Sequence, residues 1–169
     1  MTVDIIISIR DFEPGDAAAV IEIQRTAEQS AQWQATDYEH LSLESEGLIL
    51  VARLRISGPT VGFLAARVMG EEAELYNLAV AATHRHRGVG KALVQEFHRR
   101  LASAGVVQVG CEVRASNSAA LNLYRVFGYV RSGIRRGYYA NDGEDAVLLL
   151  CDLRYAAARS RFDLTVSPR

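Results

Sequence analysis

Apolar and polar positions along this chain switch between two periods. Residues 5–10 place β-branched side chains at alternate positions, the period-two pattern of a strand. Pro14 and Asp16 then open a helix expected to run to about Gln29, with Val20, Ile21, Ile23 and Gln24 defining its faces. Trp33 falls in a polar connection. Thr36 and Asp37 can cap a second helix over residues 38–46, which Gly47 ends. Residues 48–56 and 60–69 read as two strands joined at Ser57-Gly58-Pro59, a hairpin composition. Residues 73–80 supply a fourth strand. The long helix 89–104 carries Val89, Leu93, Phe97 and Leu101 at four-residue spacing and stops at Gly105. A fifth strand at 106–113, a short helix at 117–127 closed by Gly128, and strands at 129–139 and 146–153 complete the series.

The order is therefore strand, two helices, a three-strand meander, helix, strand, helix, two strands. The strand–long helix–strand unit from Leu75 to Val113 implies a right-handed parallel crossover, while the other strands are expected to pair antiparallel. The expected fold class is α/β (α+β mixed): one mixed sheet of about seven strands with helices on both faces. One domain is expected over residues 1–154, followed by a polar, basic tail over 155–169.

Composition narrows the partners. With 169 residues and a formal charge of −1, the chain suits one globular domain and lacks the basic excess of a nucleic-acid binder. No apolar run approaches the roughly 20 residues of a membrane helix, and Met1-Thr2-Val3-Asp4 does not read as a secretory leader. Cys111 and Cys151 lie in apolar strand runs and read as reduced core residues of a cytoplasmic protein. His40, His84, His86 and His98 share no ligand spacing, so no metal is expected.

The most informative stretch is Arg85-His86-Arg87-Gly88-Val89-Gly90-Lys91-Ala92, between the fourth strand and the long helix. Glycine lets the backbone approach a bulky anion, and the helix start offers unpaired N–H groups and a positive dipole end. Together with Arg85, Arg87 and Lys91 this is a phosphate cradle at the carboxyl end of a parallel strand. A turn that only reverses the chain fits this segment equally well. No Lys-Ser/Thr follows Gly90, so it is not a P-loop, and no Gly-x-Gly-x-x-Gly follows the first strand.

Three further clusters carry candidate chemistry. Glu112 is a carboxylate late in an apolar strand where Val109, Cys111 and Val113 face the other way. It is either a salt-bridged residue or a positioned base. Asn117 can cap the next helix, with Tyr124 on its apolar face beside Ala120 and Phe127. Arg135-Arg136-Gly137-Tyr138-Tyr139, followed by Glu144-Asp145, is a polar and aromatic cluster at a strand-to-strand loop.

Arg85-x-x-Gly88-x-Gly90 after a strand, Asn117, and Leu123-Tyr124-x-x-x-Gly128-Tyr129 resemble the GNAT superfamily of acetyl-CoA-dependent N-acetyltransferases, over about residues 48–153. Asn77-Leu78-Ala79-Val80, Glu112 through Asn117, Arg135-Arg136-x-Tyr138-Tyr139 and Glu144-Asp145-Ala146 are similar to the RimI-type protein N-terminal acetyltransferases, which act on the N-terminal alanine of a small-subunit ribosomal protein. The resemblance implies a GNAT fold whose fourth and fifth strands splay apart. It implies acetyl-CoA as cosubstrate, held by Leu78, Ala79, Val80, Arg85, His86, Arg87, Gly88, Val89, Gly90, Lys91, Asn117 and Tyr124. The pyrophosphate would lie on the N–H groups of residues 87–91, and backbone N–H near Ala79 and Val80 would polarise the thioester. Glu112 would be the general base, directly or through a water, and Tyr124 the general acid toward the departing thiolate.

On the acceptor side the resemblance implies Trp33, Tyr76, Asn77, Glu112, Tyr138 and Tyr139, with a protein or peptide N-terminus as partner. The RimI group often has an aromatic-Pro-Trp run where this chain has Ala31-Gln32-Trp33-Gln34. A GNAT acting on a small-molecule amine, and a non-catalytic acyl-CoA-binding module, are the alternative expectations.

Overall fold

The computed structural model describes residues 6–155. They form β1 (Ile7–Asp11), α1 (Ala17–Arg25), α2 (Ala35–Leu43), β2 (Gly47–Leu54), β3 (Thr60–Met69), β4 (Glu72–Val80), α3 (Val89–Ser103), β5 (Gln108–Arg114), α4 (Ser118–Val126), β6 (Val130–Tyr139) and β7 (Glu144–Asp152). One seven-stranded sheet runs β1-β2-β3-β4-β5-β7-β6. Its one parallel pair is β4 with β5, across the α3 crossover. The mixed sheet read from the hydrophobic pattern is thus present. The expected tail falls, but for Tyr155, outside the described residues.

Helices cover both faces because the central strands are apolar on both. In β2, Leu50 and Ala52 pack with Leu93, Phe97 and Leu101 of α3, while Ile49 and Val51 pack with Val20 and Ile23 of α1 and Tyr38 and Leu41 of α2. Their neighbours in β3 divide the same way, Leu64 toward α3 and Phe63 toward α1 and α2. A strand sealed on both sides loses its alternation and reads as a continuous apolar run. Among the described residues no helix is long and apolar enough to cross a membrane.

Two helix boundaries differ from the sequence expectation. The first helix starts as a 3-10 turn (Pro14–Asp16) and ends at Arg25, short of Gln29. The Thr26 hydroxyl donates to the Ile23 carbonyl at 2.9 Å, closing the last turn. The Gln24 side chain holds the returning chain at Trp33, donating to its carbonyl at 2.8 Å and accepting from its N–H at 3.1 Å. The second helix begins at Ala35, not Tyr38. Gln34 is its N-cap and Asp37 returns a capping-box bond to the Gln34 N–H at 2.7 Å, so Thr36 lies inside the helix. That helix ends at Leu43, and Gly47 already belongs to β2. A Cβ there would fall 1.8 Å from the Leu41 carbonyl oxygen.

β4 contains the irregularity that positions the site. Its register with β3 shifts at Ala65/Ala66, so that Ala65 faces Asn77 and Ala66 faces Leu75, leaving Tyr76 as the extra residue. Parity reverses there. Leu75 packs on the α3 side, and so do Leu78 and Val80 beyond the bulge, whereas Asn77 and Ala79 pack toward α1 and α2. Pairing with β5 stops at the same point: Glu72 to Leu75 pair with Gln108 to Cys111 and no further. Beyond it, Tyr76 to Val80 and Glu112 to Arg114 diverge, which is the splay expected between the fourth and fifth strands.

Candidate active site

On the α3/α4 face the diverging strands open into a cleft of about 880 Å³. Leu78 to Val80 form its inner edge, Gly88 to Lys91 one end, and Asn117 with Tyr124 the wall toward α4. Gly88 is the N-cap of α3 and has φ of 84°, a left-handed conformation that an L side chain rarely adopts. It turns the chain so that the first N–H groups of a 15-residue helix stand at the cleft with no side-chain cap. Gly90 answers a different need. A Cβ there would lie 3.3 Å from Leu123 Cδ2, so its absence lets the start of α3 approach the second half of α4. Lys91, His84 and His86 line the cleft, while Arg87 is exposed and does not line it.

Arg85 is tied to backbone. Its Nε donates to the Val80 carbonyl at 3.1 Å and its Nη2 to the Thr26 carbonyl at 2.9 Å. It therefore pins the α1–α2 connection over the end of β4, and Thr26 to Ser30 become part of the cleft wall. The overlong first helix expected from sequence hid that segment. Asn117 caps α4, its Oδ1 accepting from the Ala120 N–H at 3.1 Å, and lines the cleft.

Tyr124 is 4% exposed and lines the cleft from the last turn of α4. Burial, and then the neighbouring Cys111, raise its phenol well above the ordinary tyrosine pKa. Its ring packs 5.1 Å from that of Tyr129, whose hydroxyl is 3.1 Å from His98 Nε2. Burial lowers the pKa of His98 to about 4, so this imidazole is neutral near pH 7. Cys111 is sealed in the same core, and burial pushes its thiol up.

The opposite face of the gap is built from side chains. Glu112 points away from Val109, Cys111 and Val113 and is 20% exposed. Arg135 Nε stands 3.1 Å from its carboxylate, and the same carboxylate raises the pKa of the Tyr138 phenol. Tyr138 is 46% exposed, so this corner is open to solvent. Trp33 packs between Tyr38 and Tyr76, with ring centroids 5.1 and 5.7 Å away. A shallower recess of about 480 Å³ lies there, with Trp33, Tyr76, Asp37 and the Glu44–Arg67 ion pair on its walls.

Two residues expected on this face are engaged by other side chains. Asn77 is 3% exposed, and its Nδ2 donates to the Tyr38 hydroxyl at 2.8 Å and the Ala31 carbonyl at 2.9 Å. The Tyr38 hydroxyl in turn donates to Gln24 Oε1 at 2.5 Å. Asn77 thus ties the bulge of β4 to α1, α2 and the chain between them. Tyr139 lies under the Arg114 guanidinium, 3.8 Å from ring centroid to carbon. Sequence reasoning named Gln24 only as a helix-face residue and Arg114 only as part of the run from Glu112 to Asn117. Neither was given a role, because each acts on residues distant in the chain.

The arrangement can therefore hold an extended, anionic-ended molecule on one face and present its reactive end through the strand gap to a carboxylate on the other. Known proteins similar to this chain are acetyltransferases. A family model described as "Acetyltransferase (GNAT) family" matches residues 17–129. The [ribosomal protein bS18]-alanine N-acetyltransferase of Salmonella typhimurium is 34% identical over 139 residues, 76% of this chain and 94% of that protein. The crystal structure of the ribosomal-protein-S18-alanine N-acetyltransferase from Escherichia coli superposes with a TM-score of 0.77 at 28% identity, covering 88% of this chain and 94% of that one. Ard1 from Thermoplasma volcanium gives a TM-score of 0.76 at 26% identity, covering 86% and 97%.

Proposed function

The chain belongs to the GNAT acetyltransferase family and is an acetyl-CoA-dependent N-acetyltransferase; from that premise we propose that its acceptor is the N-terminal α-amine of a protein. The name of the Salmonella typhimurium relative supports an N-terminal alanine, with a small-subunit ribosomal protein as the leading candidate and the cytoplasm as the setting. The observation that carries the mechanism is the strand gap, with Tyr124 on one face and Glu112 on the other.

The residues present fit acetyl-CoA. The uncapped N–H groups after Gly88, with Lys91 beside them, suit a pyrophosphate. The Asn117 amide and the edge of Leu78 to Val80 suit the amide-bearing arm. When bound, the molecule supplies an acetyl group activated as a thioester. Arg85 acts by holding the cleft wall rather than as the principal anion ligand.

Glu112 receives the proton from the attacking amine, directly or through a water. An α-amine has an ordinary pKa near about 7.8, so a useful fraction is neutral at pH 7 and the base has modest work to do. Arg135 and Tyr138 already engage the Glu112 carboxylate, which holds its orientation and gives the incoming amine neighbours to displace. Tyr124 donates its proton to the departing sulfur. Burial keeps that phenol protonated and also weakens it as an acid, so its proton moves as negative charge develops on the sulfur beside it. The transfer is direct. Neither cysteine is required as a nucleophile.

An acetylation screen tests this reading. Peptides differing in their first residue are compared with spermidine and with lysine peptides blocked at the N-terminus. Preference for alanine, serine or threonine N-termini is the expected result. Preference for spermidine would assign the chain to small-amine acetylation instead.

A further inference from the structure

Arg114, the last residue of β5, gathers the tip of the β6–β7 hairpin around one guanidinium. Its Nη1 donates to Asp142 Oδ2 at 2.8 Å and Glu144 Oε2 at 2.9 Å, and its Nη2 donates to Asn141 Oδ1 at 3.1 Å. The carbon of the guanidinium lies over the Tyr139 ring. The side chain is only 11% exposed. Isolated surface ion pairs contribute little. This one is planar, multiply hydrogen-bonded, stacked on an aromatic ring and largely shielded, a geometry that lysine cannot reproduce.

Glu144 extends the cluster to the other side of the gap. While Oε2 takes Arg114, Oε1 accepts the Ser116 N–H at 2.6 Å. Ser116 immediately precedes Asn117, the α4 cap on the cleft, and its Oγ accepts from Gln29 Nε2 at 3.3 Å. The adjacent Ala115 N–H donates to the Asp145 carbonyl at 3.1 Å. One patch of hydrogen bonds therefore joins the hairpin tip, the β5–α4 connection and the α1–α2 connection.

The hairpin needs such an anchor. Its ladder shifts register between Arg135 and Tyr139, and Gly137 and Gly143 both take left-handed conformations, so strand pairing alone does not fix Tyr138. Tyr138 neighbours the ring stacked on Arg114 and, with Arg135, engages Glu112.

We propose that Arg114 and Glu144 are positioning residues for the acceptor. They lock the β6–β7 hairpin onto the β5–α4 connection, hold Tyr138 beside Glu112, and so set the entrance through which an amine reaches that carboxylate. The proposal rests on the reading that the Glu112 face receives the acceptor. Neither residue touches the reacting atoms.

The test uses the full chain carrying Arg114→Lys or Glu144→Gln. Turnover is measured with an alanine-initiated peptide, acetyl-CoA affinity by calorimetry, and amide hydrogen exchange across residues 137–145. Each variant is expected to raise the acceptor KM roughly tenfold, with kcat and acetyl-CoA affinity within about threefold of the parent. Exchange in the hairpin should quicken by a similar factor. An unchanged acceptor KM alongside faster exchange would overturn the proposal. So would acetyl-CoA affinity falling in step with KM, since that is general loosening. Should Arg114→Lys fail to fold, the isosteric Glu144→Gln decides by the same readings. An unmodified chain inactive on the peptide contradicts the N-terminal reading alone; the KM comparison is then made with whichever amine it does acetylate.

Discussion

The two faces of the β4–β5 gap are made of different material. On the α3/α4 face the cleft is largely backbone: the edge of β4, the left-handed turn at Gly88, the bare start of α3 and the capped start of α4. On the other face Trp33, Tyr76, Glu112 and Tyr138 come from four separate segments and are held by aromatic packing and one ion pair. A backbone-built site demands particular residues at particular spacings, because only they allow the chain to take that path. A side-chain-built site can be assembled in many ways. On the proposed reading, the first face fits a molecule common to a whole family and the second sets an individual acceptor.

If each face carries one proton carrier, removing either should spoil turnover without emptying the cleft. Glu112→Gln is expected to have the largest effect, lowering kcat by about 10²–10⁴-fold. Tyr124→Phe should lower it by roughly 10²-fold, and a phenol-free enzyme of full activity would show that the sulfur leaves unaided. Both are read by steady-state kinetics with saturating acetyl-CoA.

The remaining predictions concern what holds each face in place. Asn77→Leu leaves the Ala31 carbonyl without its donor and removes the bond to Tyr38, so thermal unfolding should show a loss of about 1–3 kcal/mol. Unchanged stability would mean the bulge is fixed by the ladder alone. Under Tyr124, His98 makes the cofactor face acid-sensitive. Its pKa is about 4 in the folded chain against 6.5 in the unfolded one. The unfolded state therefore binds the proton first, so the contribution is complete above about pH 6.5 and is lost as the pH falls toward 4, by roughly 2 kcal/mol after allowance for partial exposure. Urea midpoints across that range should fall in the parent and flatten in His98→Gln.

The same contrast governs what could be read from the chain. All seven strands and the α3 crossover were legible because each buries a face and repeats its apolar positions accordingly. The turn at Gly88 and the cap at Asn117 were legible because local geometry restricts which residues serve there. The end of α1 was not. Thr26 and Gln24 stop the helix through bonds to its own last turn and to Trp33, and the pattern of apolar residues passes over both. The bulge at Tyr76 was equally silent, since it appears only when β4 is laid against β3. It reverses which β4 residues face which side, turning Asn77 toward α1 and α2, where the Tyr38 hydroxyl and the Ala31 carbonyl take its amide and enclose it. Arg114 and Tyr139 lie on the same blind side: their stacking joins positions 25 residues apart.

The central claim is that the two faces are separable, one for acetyl-CoA and one for the amine. Calorimetric titration of acetyl-CoA into Gly88→Asp and Glu112→Gln tests it most directly. Gly88→Asp places a strained, negatively charged side chain at the anion-facing start of α3 and should weaken binding by at least about 100-fold. Glu112→Gln should bind acetyl-CoA as the parent does. Retained affinity in Gly88→Asp, or affinity lost in Glu112→Gln, would contradict the account.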